Sequence, residues 1–302
     1  MQDGNYSELA SPQNDMPFSI GSDAHKNAFC TMLLSTHDPY KPKILDWPKL
    51  SAEEQQRLVD LPIWDIAVQV EGQASVNVLS YAEEVTDPLL KRAVEMNGQE
   101  EARHKLVLSN LVAAYGISLA PEPVYQKWKD VEYGYMYTGY SECVDSFFAF
   151  GLFELAKRSG FFPAELVDTF EPVMQEEGRH ILFFVNWAAW HRRRLSLYKK
   201  MLFDLKRVRV FIYIAIERLR SVKSIHGESS KSNNDNFTMT AKNSINVDTN
   251  LVDFLAICLQ ENDRRLAKYA TNLLRPKIVP YSITVFYHVA KVVKKLYTLL
   301  KP

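Results

Sequence analysis

The sequence predicts an all-α protein: a four-helix bundle followed by extra helices toward the C-terminus. Three observations carry this. Long segments place apolar residues three and four positions apart, the spacing of one helical face. No stretch alternates apolar and polar residues as a half-buried strand does, and no glycine-rich nucleotide motif occurs. A short sequence also recurs on two of the helical segments. Residues 99–104 read Gln-Glu-Glu-Ala-Arg-His and residues 175–180 read Gln-Glu-Glu-Gly-Arg-His, identical at five of six positions.

Residues 1–43, rich in Asp, Asn, Ser and Pro, are expected to form a loosely ordered arm. Ser51-Ala-Glu-Glu54 is a capping-box pattern and starts a short helix that ends before Pro62. The first long helix is expected from about Pro62 to Val85, with Trp64, Ala67, Val68, Glu71, Ala74, Ser75, Val78 and Ala82 on one stripe. Thr86-Asp87-Pro88 then supplies a turn, a capping residue and a proline at the first helical position. The second long helix runs from Pro88 to Tyr115 and stops at Gly116; its stripe includes Leu90, Val94, Asn97, Glu101, His104, Leu108 and Leu111. A loop holding Pro121 and Pro123 follows, then a stretch rich in tyrosine (Tyr133, Tyr135, Tyr137, Tyr140). The third helix spans about Thr138 to Arg158 and stops at Ser159-Gly160. Pro163 opens the fourth, expected to continue through Trp190 with Leu166, Phe170, Val173, Glu177, His180, Phe184 and Trp187 on its stripe. Further helices are expected over about Met201–Arg220, Leu251–Leu273 and Ser282–Leu300, with the polar residues 224–250 as a surface loop. The organisation read from this is an arm over 1–43, a bundle over 44–198, and a basic helical extension over 199–302 packed on the bundle.

The 302 residues are 47% hydrophobic and 24% charged, the balance of a globular chain. Cys30, Cys143 and Cys258 are scattered, with no Cys-x-x-Cys pair. They suggest neither a disulfide framework nor a cysteine metal site, and a reducing, cytoplasmic setting is expected. The first twenty residues lack the basic start and apolar run of a secretory signal. The most apolar run, Val210 to Ile216, is too short to span a bilayer. Net charge is zero but unevenly spread. Residues 1–190 hold 28 Asp and Glu against 14 Lys and Arg, a balance of −14, and residues 191–302 carry the compensating +14. The basic part is either a module packed against the acidic bundle or a surface for an anionic partner, a membrane or an acidic protein. Nucleic acid is not an expected partner.

The repeated hexapeptide carries the chemistry. Each copy sets a Glu and a His three residues apart on an otherwise apolar helical face: Glu101 and His104, then Glu177 and His180. Burying a carboxylate and an imidazole there is costly unless each is paired or bound to a cation. A di-metal site in a bundle needs two such helices plus one carboxylate from each of two others. Residues at one level of an antiparallel hairpin lie equally far from its turn. Reflecting Glu101 through residues 86–87 reaches Glu71; reflecting Glu177 through 160–162 reaches about 143–147, between Glu142 and Asp145. Glu142 is favoured because Glu is the usual ligand, with Asp145 as competitor; Glu154 lies too near the turn. The alternative is a bundle whose groups form buried ion pairs without metal.

Glu-Glu-Ala-Arg-His and Glu-Glu-Gly-Arg-His resemble the acid-Glu-x-Arg-His motif of bacterial multicomponent monooxygenase hydroxylases. More broadly they resemble the ferritin-like di-iron carboxylate superfamily, which includes ribonucleotide reductase small subunits and rubrerythrins. The likeness covers about residues 62–190, and residues 191–302 resemble the tails of bacterial ferritin-like proteins. It implies two irons, or a manganese–iron pair, bridged by Glu101 and Glu177. His104 and His180 would each bind one metal, and Glu71 and Glu142 would be terminal ligands. Glu100 and Glu176, or Arg103 and Arg179, would orient the histidines; the family's acid at this place is typically Asp, and here it is Glu.

Carboxylate-rich ligation with two histidines suits iron or manganese better than a structural zinc. The expected function is O₂-dependent oxidation of a largely apolar substrate, free or carrier-bound, by hydroxylation, desaturation or a related step, with Glu101 and Glu177 at the catalytic centre. The basic tail would receive an acidic electron-transfer protein, an acidic carrier or a membrane surface. The alternatives are a non-catalytic iron-handling protein and a metal-free helical interaction module. A rubrerythrin-like relay is disfavoured by the missing Cys-x-x-Cys pairs. Phe147, Phe148, Phe150, Phe153, Phe183, Phe184 and Trp187 either line an apolar pocket or form core. The four tyrosines are read as packing rather than as an electron path, and His25, His37, His191, His226 and His288, lacking ligand spacing, as surface or structural. The last helix, with Val285, Val289, Val292, Leu296 and Leu299 on one side, either docks on the bundle or lies on a membrane.

Overall fold

The computed structural model describes residues 17–42, 45–226 and 251–300, with side chains to 219 in the second stretch and to 292 in the third. Among these residues there is helix and no strand. The helices are α1 (Asp23–Ser35), α2 (Ala52–Val59), α3 (Trp64–Glu84), α4 (Pro88–Ala114), α5 (Val131–Ser159), α6 (Ala164–Thr169), α7 (Glu171–Arg194), α8 (Leu197–His226), α9 (Leu251–Ala267) and α10 (Ile278–Leu300).

α3 and α4 form the tightest antiparallel pair. Asp87 caps α4, accepting from the Leu90 amide at 2.9 Å, with Pro88 in the first turn where its missing N–H costs nothing. The register is fixed by Ser75, which donates to the Gly98 carbonyl at 3.0 Å, so residues 71 and 101 face one another at one level. Asn77 donates to Thr138 at 2.9 Å and ties α3 to α5. α4 and α5 both end at glycines of positive φ, Gly116 at 67° and Gly160 at 63°, the backbone an L side chain resists. α5 lies against α3, α7, α8 and α9. One core cluster joins Val78, Val94, Met136, Phe183 and Trp187 to Phe203 and Val210 of α8 and Leu266 of α9.

Four sequence expectations change. Part of the expected arm is helical: Ser22 caps α1 by accepting from the His25 amide, and Phe29, Cys30 and Leu33 bury it against α4 and α7. The tyrosine-rich stretch belongs to α5, which begins at Val131 under an Asp130 cap rather than near Thr138. The fourth helix is broken at Phe170, because Pro172 lacks an amide hydrogen and admits only the first turn of a new helix. α8 continues to His226; the rest of the stretch read as a loop, 227–250, lies outside the described residues, as do residues 1–16 of the arm. No described helix is long and apolar enough to cross a membrane.

Candidate metal centre

The two copies of the hexapeptide, on α4 and α7, face each other. Glu101, His104, Glu177 and His180 are buried, and each offers one ligand atom within 4.8 Å of the others. The imidazoles are held in the same way from behind, each by the opposite helix. His104 Nε2 lies 2.8 Å from Glu176 Oε2, and His180 Nε2 lies 2.7 Å from Glu100 Oε2. Arg179 donates to Glu100 at 2.5 Å, and Arg103 donates to Glu176. The crossed pairs leave the outer layer near neutral, two carboxylates against two guanidiniums, with Glu100 and Glu176 almost wholly buried. His37, Glu100 and Glu176 also converge, but Arg103 and Arg179 already serve those carboxylates, so this group is the back wall of the centre rather than a second ion site.

Both Nδ1 atoms turn inward. His104 Nδ1 is 3.2 Å from Glu177 Oε1, 3.6 Å from Glu101 Oε2 and 3.7 Å from Glu71 Oε2. His180 Nδ1 is 2.7 Å from Glu101 Oε1. None of these contacts has hydrogen-bond geometry, and both Nδ1 atoms are buried without a hydrogen bond. A buried nitrogen aimed at several carboxylate oxygens but bonded to none is what a shared cation would satisfy. Asn97 donates to Glu101 at 3.1 Å and Ser146 to Glu177 at 2.8 Å, orienting both carboxylates.

Glu71 sits beside His104 at the edge of the cluster, its side chain 21% exposed. Glu142 and Asp145 each keep one carboxylate oxygen buried without a hydrogen-bond partner, but Asp145 is paired through Oδ2 with Arg218, whereas Glu142 has no arginine or lysine within ion-pair distance among the described residues. Burial raises the Glu142 carboxyl well above the usual range, the Glu101 and Glu177 charges add to the rise, and His180 pulls it back. Glu142 therefore feels the cluster, while the nearest compensating charge of Asp145 is a guanidinium. Glu142→Ala is expected to lower metal content per chain and Asp145→Ala to leave it unchanged; the reverse result in elemental analysis would make Asp145 the sixth ligand.

The remaining electrostatics show a site balanced by protons when no cation is present. Burial pushes Glu71 up to about 8, helped by Glu101 and Glu177 and opposed by His104. For Glu101 burial also works upward, but His180 and His104 outweigh it and hold the carboxyl below the usual range. Burial works against charging His104 and His180, and the surrounding carboxylates outweigh it and raise both well above 6.5. Above the usual carboxylate range the consequence for pH has one sign. The unfolded chain releases the Glu71 proton above its ordinary 4.5 while the fold keeps it to about 8, so stability from this group falls as pH rises through that window. The raised imidazoles act in the same direction above 6.5. A bound cation replaces these protons. The rise in melting temperature on adding divalent metal is therefore expected to grow from pH 5 to 8, the range of these shifts. A rise independent of pH would contradict the proton–metal exchange.

A cavity of about 530 Å³ adjoins the cluster and is lined by Glu71, Glu101, Glu142 and Glu177 on one wall. Its other walls are mainly apolar, with Leu61, Trp64, Ala67, Phe153 and Phe170 among them. Of the aromatic residues singled out in the sequence only Phe153 lines it; Phe147, Phe150, Phe183, Phe184 and Trp187 are buried core. Tyr135 stacks on Tyr81, ring centroids 4.4 Å apart. His37, expected as surface or structural, is structural: its Nδ1 is 2.5 Å from Glu100 Oε1, and Tyr40 donates to Glu176 at 3.4 Å with its ring against Arg103. No local spacing signals these contacts, which join residues more than sixty positions apart. His25 is structural, 2.9 Å from Asn186; His191 pairs with Glu132; the His226 side chain lies outside the described residues.

No known protein family, curated protein or solved structure matches this chain.

Proposed function

We propose that the protein is a ferritin-like di-metal oxidoreductase that uses O₂ to oxidise a largely apolar substrate held in the cavity. The observation that carries this reading is the inner layer of the site. Three carboxylates, Glu71, Glu101 and Glu177, lie within 3.7 Å of an inward imidazole nitrogen that has no hydrogen bond, and a fourth, Glu142, is close enough to feel the charges of Glu101, Glu177 and His180. Among the described residues no arginine or lysine pairs with these four carboxylates, since Arg103, Arg179 and Arg218 are paired with Glu176, Glu100 and Asp145. Two divalent ions would balance them and leave both imidazoles neutral, as metal ligands must be. The donor set, oxygen-rich with two nitrogens, favours iron or a manganese–iron pair. Such a pair, when bound, supplies electrons to O₂.

The protein's own residues would do the rest. Glu101 and Glu177 lie between the two histidines and would bridge. His104 with Glu71, and His180 with Glu142, would complete the two ends. Glu100 and Glu176 fix the imidazole rings so that Nδ1 points inward. The apolar cavity would exclude water and hold a substrate against the carboxylate wall. Its test is substrate-dependent O₂ uptake by iron-loaded protein across a series of apolar compounds. An active compound should lose affinity in Ala67→Phe, which fills the cavity wall, with metal content unchanged. Metal bound without any substrate-dependent uptake would favour an iron-handling role instead.

A further inference from the structure

α8 is apolar on two opposite sides. Phe203, Val210 and Ile214 are buried, facing the core shared with α5 and α7. On the other side Leu197, Met201, Leu205, Val208, Ile212, Ile216 and Leu219 follow one another at steps of four, four and three, all on one face. Each is exposed, from 42% at Ile216 to 81% at Leu197. At 1.5 Å per residue the stripe is roughly 33 Å long. Scattered exposed apolar residues need no explanation, but a continuous stripe on a well-anchored helix marks an interaction surface.

Its surroundings are basic. Arg209 is exposed on the stripe's border, and Arg193, Lys199 and Lys200 lie near its N-terminal end. Among the described residues none of these four has a carboxylate within ion-pair distance, although Lys206, Arg207 and Arg218 of the same helix do. An isologous contact with a second copy would set these unpaired cations against each other. An anionic lipid surface would satisfy stripe and cations together, the apolar face entering the acyl boundary and the basic groups meeting phosphates. The helix would lie on the bilayer, since no described helix can cross one.

We propose that the exposed face of α8 docks the protein on anionic phospholipid membrane. The docking itself does not depend on the redox reading.

The test is flotation of the full-length protein with phosphatidylcholine vesicles, with and without phosphatidylglycerol. Binding is expected to the anionic vesicles and to weaken with salt. Leu205→Glu with Ile212→Glu, and separately Lys199→Glu with Arg209→Glu, should each lower partition on the order of tenfold. These positions are exposed, so helical circular dichroism and melting temperature should match the wild type and exclude misfolding as the cause. Failure of the wild type to float, or unaltered binding by both variants, would overturn the proposal. So would equal binding to neutral vesicles. A dimer seen by light scattering and abolished by Leu205→Glu with Ile212→Glu would instead assign the face to a second copy.

Discussion

Changing Glu101 to alanine is expected to abolish metal binding while leaving the fold intact. Glu101 lies nearest the middle of the cluster, its oxygens 2.7 Å from His180 Nδ1 and 3.6 Å from His104 Nδ1. In the metal-free protein its loss is largely self-compensating. Its charge helps raise Glu71, Glu142 and both histidines. Without it the imidazoles shed protons and the other carboxyls need fewer. In the metal-bound protein nothing replaces it, because it would be shared by both ions. At metal a thousandfold above Kd the wild type gains about 4 kcal/mol of stability, and the variant should gain almost none. Differential scanning calorimetry with and without metal reads both quantities. An unchanged metal-dependent shift would remove Glu101 from the ligand set.

Glu100→Ala should act in the opposite way, striking the fold first. Glu100 is 1% exposed and holds Arg179, itself 2% exposed, together with the His180 ring and His37. Removing it leaves a buried guanidinium leaning on the Leu33 carbonyl, Thr36 and a more distant Glu176. Breaking a buried pair from one side costs about 3–5 kcal/mol, which for a chain of this size lowers the melting temperature on the order of 10 °C. The freed His180 ring should also lower metal affinity by roughly 10- to 100-fold. Glu100→Gln keeps the volume and one acceptor and should fall between. A Glu100→Ala protein as stable as wild type would mean that the crossed pairs contribute nothing to the fold.

Much of this site is legible in the sequence because its elements are local or symmetric. The repeated hexapeptide marks α4 and α7, and helical period alone puts Glu and His on one face. Hairpin reflection reaches Glu71 because a short capped turn at Asp87 fixes the α3–α4 register. The same reasoning is looser for α5 and α7, where the break at Phe170 intervenes; the observed pairing of Ser146 with Glu177 sets Glu142 opposite His180. The start of α5 is hidden for another reason. It is packed on several sides, so its tyrosines show no polar face and read as loop. His37 and Tyr40 are invisible because they reach the site only through the docking of α1, which no sequence spacing encodes. The exposed apolar face of α8 is likewise hidden, since a helix apolar on two sides reads as buried core until its neighbours are known.

The central claim is that the inner carboxylates and imidazoles hold two metal ions. It is tested most directly by elemental mass spectrometry of protein purified without chelator, with an ultraviolet–visible spectrum of the same sample. The account predicts about two irons per chain, or one iron and one manganese, as a site with two such Glu-x-x-His helices and two further carboxylates requires. Metal-free protein that stays metal-free after anaerobic Fe(II) reconstitution would contradict it. Glu101, His104, Glu177 and His180 would then be a buried network of ion pairs, and the redox reading would fall with the metals.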